Sequence, residues 1–179
     1  MRVTQFNADT VEELRQALDT AEADGSLNGL VLDLRDNPGG GLPAAVAMSD
    51  LFLTRGTIVS VRPRREGDGV TYDAQAAATR SGFPMVVLVN GGSASASEIV
   101  SGALQENGRA KVLGSRTHGK GSVQEVRPLN YGAGTLKFTI AQYYLPSGRS
   151  LHRRPDATTW GVDPDDGFVV PVAPEDYVC

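Results

Sequence analysis

This chain lacks most of the residues that signal a particular chemistry. It has one cysteine, Cys179, at the last position of 179 residues, so it can form no internal disulfide and no thiolate metal cluster. His118 and His152 are its only histidines, too few for a typical zinc site. No apolar run approaches the ~18 residues that a membrane span needs. Charge of one sign is also scarce. Lys and Arg total 17 against 21 Asp and Glu, and the net charge of −4 comes with no dense basic block, so nothing points to nucleic acid. The first ten residues, MRVTQFNADT, lack the apolar core of a signal peptide and read as a strand entering a domain. Internal repeats and low-complexity tracts are missing as well.

What is present fits one ordinary soluble domain over 1–179. Its hydrophobic fraction of 40% is enough for a real core. Residues 2–6 alternate weakly and suit a first strand. Thr10 with Glu13 forms a capping-box pair, and Val11, Leu14, Leu18 and Ala21 follow at helical spacing, predicting a helix over 10–23 that Gly25 ends. The uniformly apolar run from Gly29 to Leu34 reads as a buried strand. Pro43 suits the first turn of a helix over 43–53. A strand is expected at 57–62, then an exposed polar loop over 63–82 with a short helical patch near 74–79. Strand 85–89, helix 95–107 and strand 111–114 follow. Further strands are expected at 122–127, 135–140 and 142–145, separated by glycine-rich turns. The tail from Arg153 to 179 is polar, with Trp160 as its main anchor. Strands alternating with helices over the first two-thirds predict an α/β fold of parallel βα units with a β-rich C-terminal segment.

Chemistry concentrates between Gly91 and Gln124. The apolar run MVVLV leads into two glycines and three serines spaced by single alanines, then an amphipathic segment, a short strand and Lys120 between two glycines. That order places Ser95 at a helix N-terminus after a strand. Free N–H groups and partial positive charge there favour a developing oxyanion, and small neighbours admit a substrate backbone. A serine hydroxyl still needs a base. Lys120, 25 positions on, can serve if it is held neutral, which calls for burial. Gln124 is near enough along the chain to orient the amine. The bland alternatives are serines that merely cap a helix and a solvated surface lysine.

A second glycine-rich stretch, DLRDNPGGG (33–41), follows the buried strand. Its backbone N–H groups can face a carbonyl or phosphate oxygen, or it can be an ordinary turn. It matches neither GxxxxGK[ST] nor GxGxxG. The histidines keep a Ser–His–Asp arrangement open, since such triads are recognised by geometry.

Three blocks resemble the C-terminal processing (tail-specific) protease family of serine peptidases: DLRDNPGGGL (33–42), GGSASASEIVSGALQENGRAKVLGSRTHGKGSVQ (91–124), and LKFTIAQYYLPSGRSLH (136–152) with WGVDPD (160–165). The resemblance implies a Ser/Lys dyad on a crotonase-like or Clp-protease-like core. Ser95 would be the nucleophile, Lys120 the base and Gln124 the residue that orients it. The oxyanion hole would use backbone N–H groups of Gly39 or Gly40 and of Ala96. Three departures stand out. His118 occupies a position that is often aromatic in the family, Gln105–Glu106 replaces Gln–Asp, and RRPDATT (153–159) is inserted before WGVDPD.

The expected function is therefore a serine endopeptidase that cleaves proteins near their C-terminus through an acyl-enzyme, with no metal or cofactor. Two alternatives are a catalytically inactive peptide-binding module and a crotonase-type acyl-CoA enzyme. The expected partners are protein or peptide substrates bound by their C-terminal region, with oligomers possible. The PDZ domain usual in the family does not precede Met1, so a longer parent chain carrying it, or a minimal form, is expected. The family also implies a periplasmic or cell-envelope setting.

Overall fold

The computed structural model describes residues 1–63, 67, 69–130 and 134–171. Parts of the predicted loop at 64–66 and 68, the glycine turn at 131–133 and the tail from 172, with Cys179, lie outside the described residues.

Helix α1 runs over Thr10–Ala23, with Leu14 and Leu18 buried and Glu12 and Glu13 in the first turn, where carboxylates suit the helix dipole. Its start differs from the predicted capping box. Asp9 is the N-cap, and the Asn7 side chain captures the free amides instead. Asn7 Oδ1 accepts from the N–H groups of Asp9 and Thr10 and from Thr10 Oγ1. An Asn two residues upstream reaches those donors before Glu13 can fold back.

Strand β1 (Leu30–Asp33) is followed by α2 (Leu42–Asp50), β2 (Thr57–Pro63), β3 (Val70–Asp73) and a short 3-10 turn at Ala76–Ala78. Then come β4 (Met85–Val89), α3 (Ala96–Glu106), β5 (Lys111–Gly114), β6 (Ser122–Pro128) and β7 (Thr135–Tyr144). The predicted first strand at 2–6 makes only single bridges, Arg2 with Asp33 and Phe6 with Gly40. The predicted polar loop at 63–82 holds β3, an edge strand paired antiparallel to β2. The strands expected at 135–140 and 142–145 are one continuous β7.

The fold is mixed α/β. One sheet is parallel, in the order β1-β4-β5, and the other is antiparallel, in the order β3-β2-β7-β6. The first answers to the predicted βα units, and the second extends the expected β-rich segment to include β2 and β3. Helix α3 packs against α2, β2 and β5. Every residue from Ala96 to Leu104 is buried, so this helix is enclosed on all sides, as its apolar sequence requires. Gly102 allows the approach of the closing segment: a Cβ there would lie 2.5 Å from Leu145 and 3.2 Å from Val162. Among the described residues no helix is long and apolar enough to cross a membrane.

Parallel pairing positions the chemistry. Asp33 pairs with Leu88, so β1 and β4 end side by side. The NPGGG turn leaves the first and the serine turn leaves the second, which brings both glycine motifs to the carboxyl edge of one sheet, where open α/β sheets bind ligands.

Candidate active site

The NPGGG turn begins with an Arg35 fork on Asp33, whose carboxylate takes Nε at 2.8 Å and Nη2 at 2.7 Å. These hydrogen bonds, opposed by partial burial, hold the Asp33 carboxyl below its ordinary range. Asp36 adopts a positive φ of 59° and exchanges hydrogen bonds with Asn90, which stitches this turn to the end of β4.

Asn37 is fully buried and links the two turns. Its amide donates to Val3 O, its Oδ1 accepts the Gly39 N–H, and its carbonyl accepts from the Ala94 N–H and from Ser97 Oγ. Gly39 (φ 101°) then passes directly against the Ser95 turn. A Cβ on it would stand 2.7 Å from Ser95 Cβ and from Ala94 O, and 2.9 Å from Ala96 N. Only glycine permits that approach.

The three serines differ sharply. Ser93 and Ser97 are fully buried, and their hydroxyls donate to the Leu34 and Asn37 carbonyls. Ser95 is half-buried at the N-cap of α3 with φ 56° and ψ −111°, a conformation that a non-glycine residue rarely holds. Strain of this kind costs about 1–3 kcal/mol and is retained where surrounding contacts enforce it. Two N–H groups of these turns have no partner among the described residues. They belong to Ala96, at the first position of the helix, and to Gly40; the Gly39 N–H is occupied by Asn37.

Glu98 was not singled out from the sequence, yet it joins the site together. It is fully buried and has no ion-pair partner among the described residues. Its Oε2 accepts the N–H groups of Ser95 and Lys120, each at 2.8 Å, and its Oε1 accepts Thr117 Oγ1 and the Gly119 N–H, each at 2.6 Å. Four donors on two oxygens suit an acceptor-only carboxylate at the positive end of a helix. One oxygen thus holds the Ser95 turn and the lysine loop together. The available sequence signal was the Ser-x-x-Glu capping pattern from Ser95 to Glu98. Its reach to residues 117–120 is not visible in local spacing.

The lysine loop has further anchors. The His118 N–H donates to Ser93 O, the Thr117 N–H to Val162 O, and the Arg153 N–H to Gly119 O. Trp160 lies between the guanidiniums of Arg116 and Arg153, at 4.4 and 4.6 Å. The backbone of Lys120 is therefore fixed, while its side chain is exposed. Gln124 is exposed on β6, paired with Thr139. Among the described residues no hydrogen bond joins Lys120 Nζ to Ser95 Oγ or to the Gln124 amide. His118 is exposed and His152 is half-buried, and neither side chain is bonded to Ser95. Among the described residues no group of three His, Cys, Asp or Glu could hold a metal ion.

A sequence model of Peptidase family S41 matches residues 1–167. The chain is 46% identical over 154 residues to a carboxy-terminal-processing protease of Bartonella bacilliformis, covering 84% of this chain and 35% of that protein. It is 41% identical over 167 residues to a carboxyl-terminal-processing protease of Synechocystis, covering 93% and 36%. It thus spans about a third of the length of these relatives. Among solved structures it superposes on a photosystem II D1 C-terminal processing protease with a TM-score of 0.81 and 36% identity, over 94% of this chain and 41% of that one. The sequence match, these relatives and the shared architecture agree: the chain belongs to peptidase family S41.

Proposed function

We propose that this chain is the catalytic core of a serine endopeptidase that cuts proteins near their C-terminus. The carrying observation is Ser95 itself, half-buried on a strained helix start next to the unpartnered Ala96 N–H and against Gly39, while its neighbours' hydroxyls are committed. Ser95 Oγ attacks the scissile carbonyl, and Lys120 accepts its proton and returns one to the leaving amine. Ala96 N–H and Gly40 N–H stabilise the oxyanion. Gly39 keeps the turn in contact with Ser95 through its missing side chain. An acyl-enzyme forms on Ser95, and water then hydrolyses it. Gln124 orients the amine. Glu98 fixes the Lys120 backbone, and in this reading the side chain turns to bring Nζ onto Oγ once substrate excludes water. In the longer relatives the remaining chain leaves room for a PDZ or other substrate-delivering domain. We assign this chain to the same arrangement and to an extracytoplasmic setting.

Replacing Ser95 by Ala or Lys120 by Ala should abolish hydrolysis of a fluorogenic peptide while the melting temperature stays near that of the parent. Retained activity in both variants would sink the dyad. The exposed Lys120 side chain favours one rival, an inactive peptide-binding module. Labelling of Ser95 by a fluorophosphonate supports the peptidase, and absence of labelling supports the binder. A crotonase-type acyl-CoA enzyme would instead turn over thioesters, which this reading predicts the chain will not do.

A further inference from the structure

The antiparallel sheet carries a cleft apart from the Ser95 turn. Its volume is about 500 Å³, and Arg62, Thr139, Gln142, Tyr144, His152 and Arg154 line it. Arg62 on β2 stands opposite Gln142 on β7, with its guanidinium 4.1 Å over the Tyr144 ring. A register shift between Val123 and Gln124 accompanies the placing of Thr139 in the same cleft as Gln142.

The cleft gathers two arginines. The arginines at 35, 80, 116, 127 and 149 each meet a carboxylate. Among the described residues Arg62 and Arg154 meet none, as is also true of Arg2, Arg55, Arg109 and Arg153, but Arg62 and Arg154 line one cleft together. In a chain of net charge −4, two exposed guanidiniums with no carboxylate partner among the described residues, lining one hollow with the Gln142 amide, suit an anion. The volume suits one or two amino-acid residues, and the Tyr144 ring and Pro63 give it apolar walls beside the amide of Gln142.

Position ties the cleft to the catalytic loop. A Cβ on Gly121 would come within 2.5 Å of His152 N, the Arg153 N–H donates to Gly119 O, and Ser122 pairs with Gln142. Lys120 and the cleft are thus separated only by the turn into β6.

We propose that this cleft binds a peptide carboxylate, either the chain terminus or an acidic side chain close to the scissile bond, and so selects substrates by negative charge. The selection of substrates rests on the peptidase reading above; the carboxylate site itself does not. The test uses three fluorescein-labelled peptides of one neutral sequence: a free C-terminal carboxylate, a C-terminal amide, and the amide with one Glu. Binding to the Ser95→Ala chain is followed by anisotropy, so cleavage plays no part. At least one carboxylate peptide should bind about fivefold more tightly than the neutral amide, the upper end for one exposed ion pair and within reach of two arginines acting together. The stronger of the two identifies the terminal or the side-chain source. Arg62→Gln and Arg154→Gln should each shrink that gain, and both together should remove it. Both side chains are exposed, so matched melting curves are expected. The gain should also fade with unaltered arginines as salt rises from about 0.05 to 0.5 M. Equal binding of all three peptides overturns the proposal, as does a preference that survives the double replacement or high salt. If the preference is present but the parent chain cleaves no peptide, the peptidase reading fails and the carboxylate site stands. If the parent cleaves all three alike and no preference exists, the peptidase reading stands and the site fails.

Discussion

Glu98→Gln tests the idea that one buried carboxylate assembles the site. The substitution keeps the side-chain volume, so no cavity opens. It replaces one acceptor oxygen by an NH2 group that has only hydrogens to offer. The amide can turn either way. Facing Oε2's partners, it would confront both the Ser95 and Lys120 N–H groups. Facing Oε1's partners, it meets the Thr117 hydroxyl, which can accept, and the Gly119 N–H, which cannot. The second orientation is preferred and leaves one buried donor orphaned. That orphan costs about 1–3 kcal/mol, and the remaining bonds weaken once the acceptor is neutral, for about 2–6 kcal/mol in all. For a chain of this length the melting temperature should fall by roughly 4–24 °C. The rate constant kcat should fall as well, because the Gly119–Lys120 backbone is released. Glu12→Gln, on the exposed face of α1, is the control and should stay within about 0.5 kcal/mol of the parent. The measurements are a thermal melt followed by circular dichroism and peptide turnover at saturating substrate. A Glu98→Gln chain that melts within about 1 °C of the parent would refute the reasoning, because four hydrogen bonds, two of them fully buried, cannot then depend on that carboxylate.

Two further outcomes follow from the geometry. Gly39→Ala should lower kcat/KM at least tenfold, because its Cβ would press on Ser95 and Ala94; Gly108→Ala, also at positive φ but facing open space, should lose about 1 kcal/mol of stability with activity kept. The second concerns acid. Burial pushes the Asp165 carboxyl up, but hydrogen bonds from Lys111, the Val112 N–H and Gln105 outweigh it and hold the carboxyl below its ordinary range. Its contribution is therefore complete above the unfolded value of about 4 and is lost as pH falls through the lower folded value. The stability gap between the parent and Asp165→Asn, measured by urea unfolding, should be constant from about pH 8 to 5 and should narrow below about 4. A gap that widens in acid would contradict the sign.

Legibility followed the range of the interactions. Helix α1 and strand β4 carry unbroken local patterns, and their observed limits match the expected ones closely. Strand β3 escaped because Val70–Asp73 is a four-residue edge strand among polar and glycine residues, and only pairing with β2 makes it a strand. The expectation of a largely parallel sheet held for β1, β4 and β5; for β2 the alternation rule could not foresee its antiparallel partners, β3 and β7. In the site, local sequence put Ser95 at a helix start. It could not show that Ser93 and Ser97 are tied to carbonyls 59 and 60 positions away. Nor could it show that Glu98, locally a capping residue, holds a loop 19 to 22 positions downstream. The lysine's exposure is likewise a property of the assembled loop, invisible in the HGKGS motif.

The anchoring of the lysine loop by residues 153–162 bears on biosynthesis. Ser95, Glu98 and both glycine turns leave the ribosome early, and the parallel sheet that carries them can close by residue 114. The Thr117 and Gly119 contacts await Val162 and Arg153, and the Trp160 clamp needs both of its arginines in place. A nascent chain can therefore hold the Lys120 loop on Glu98 and Ser93 first, and gains its remaining anchors only with residues 153–162. On the proposed Ser95/Lys120 reading, hydrolysis would wait until residues 153–162 have folded back onto the loop.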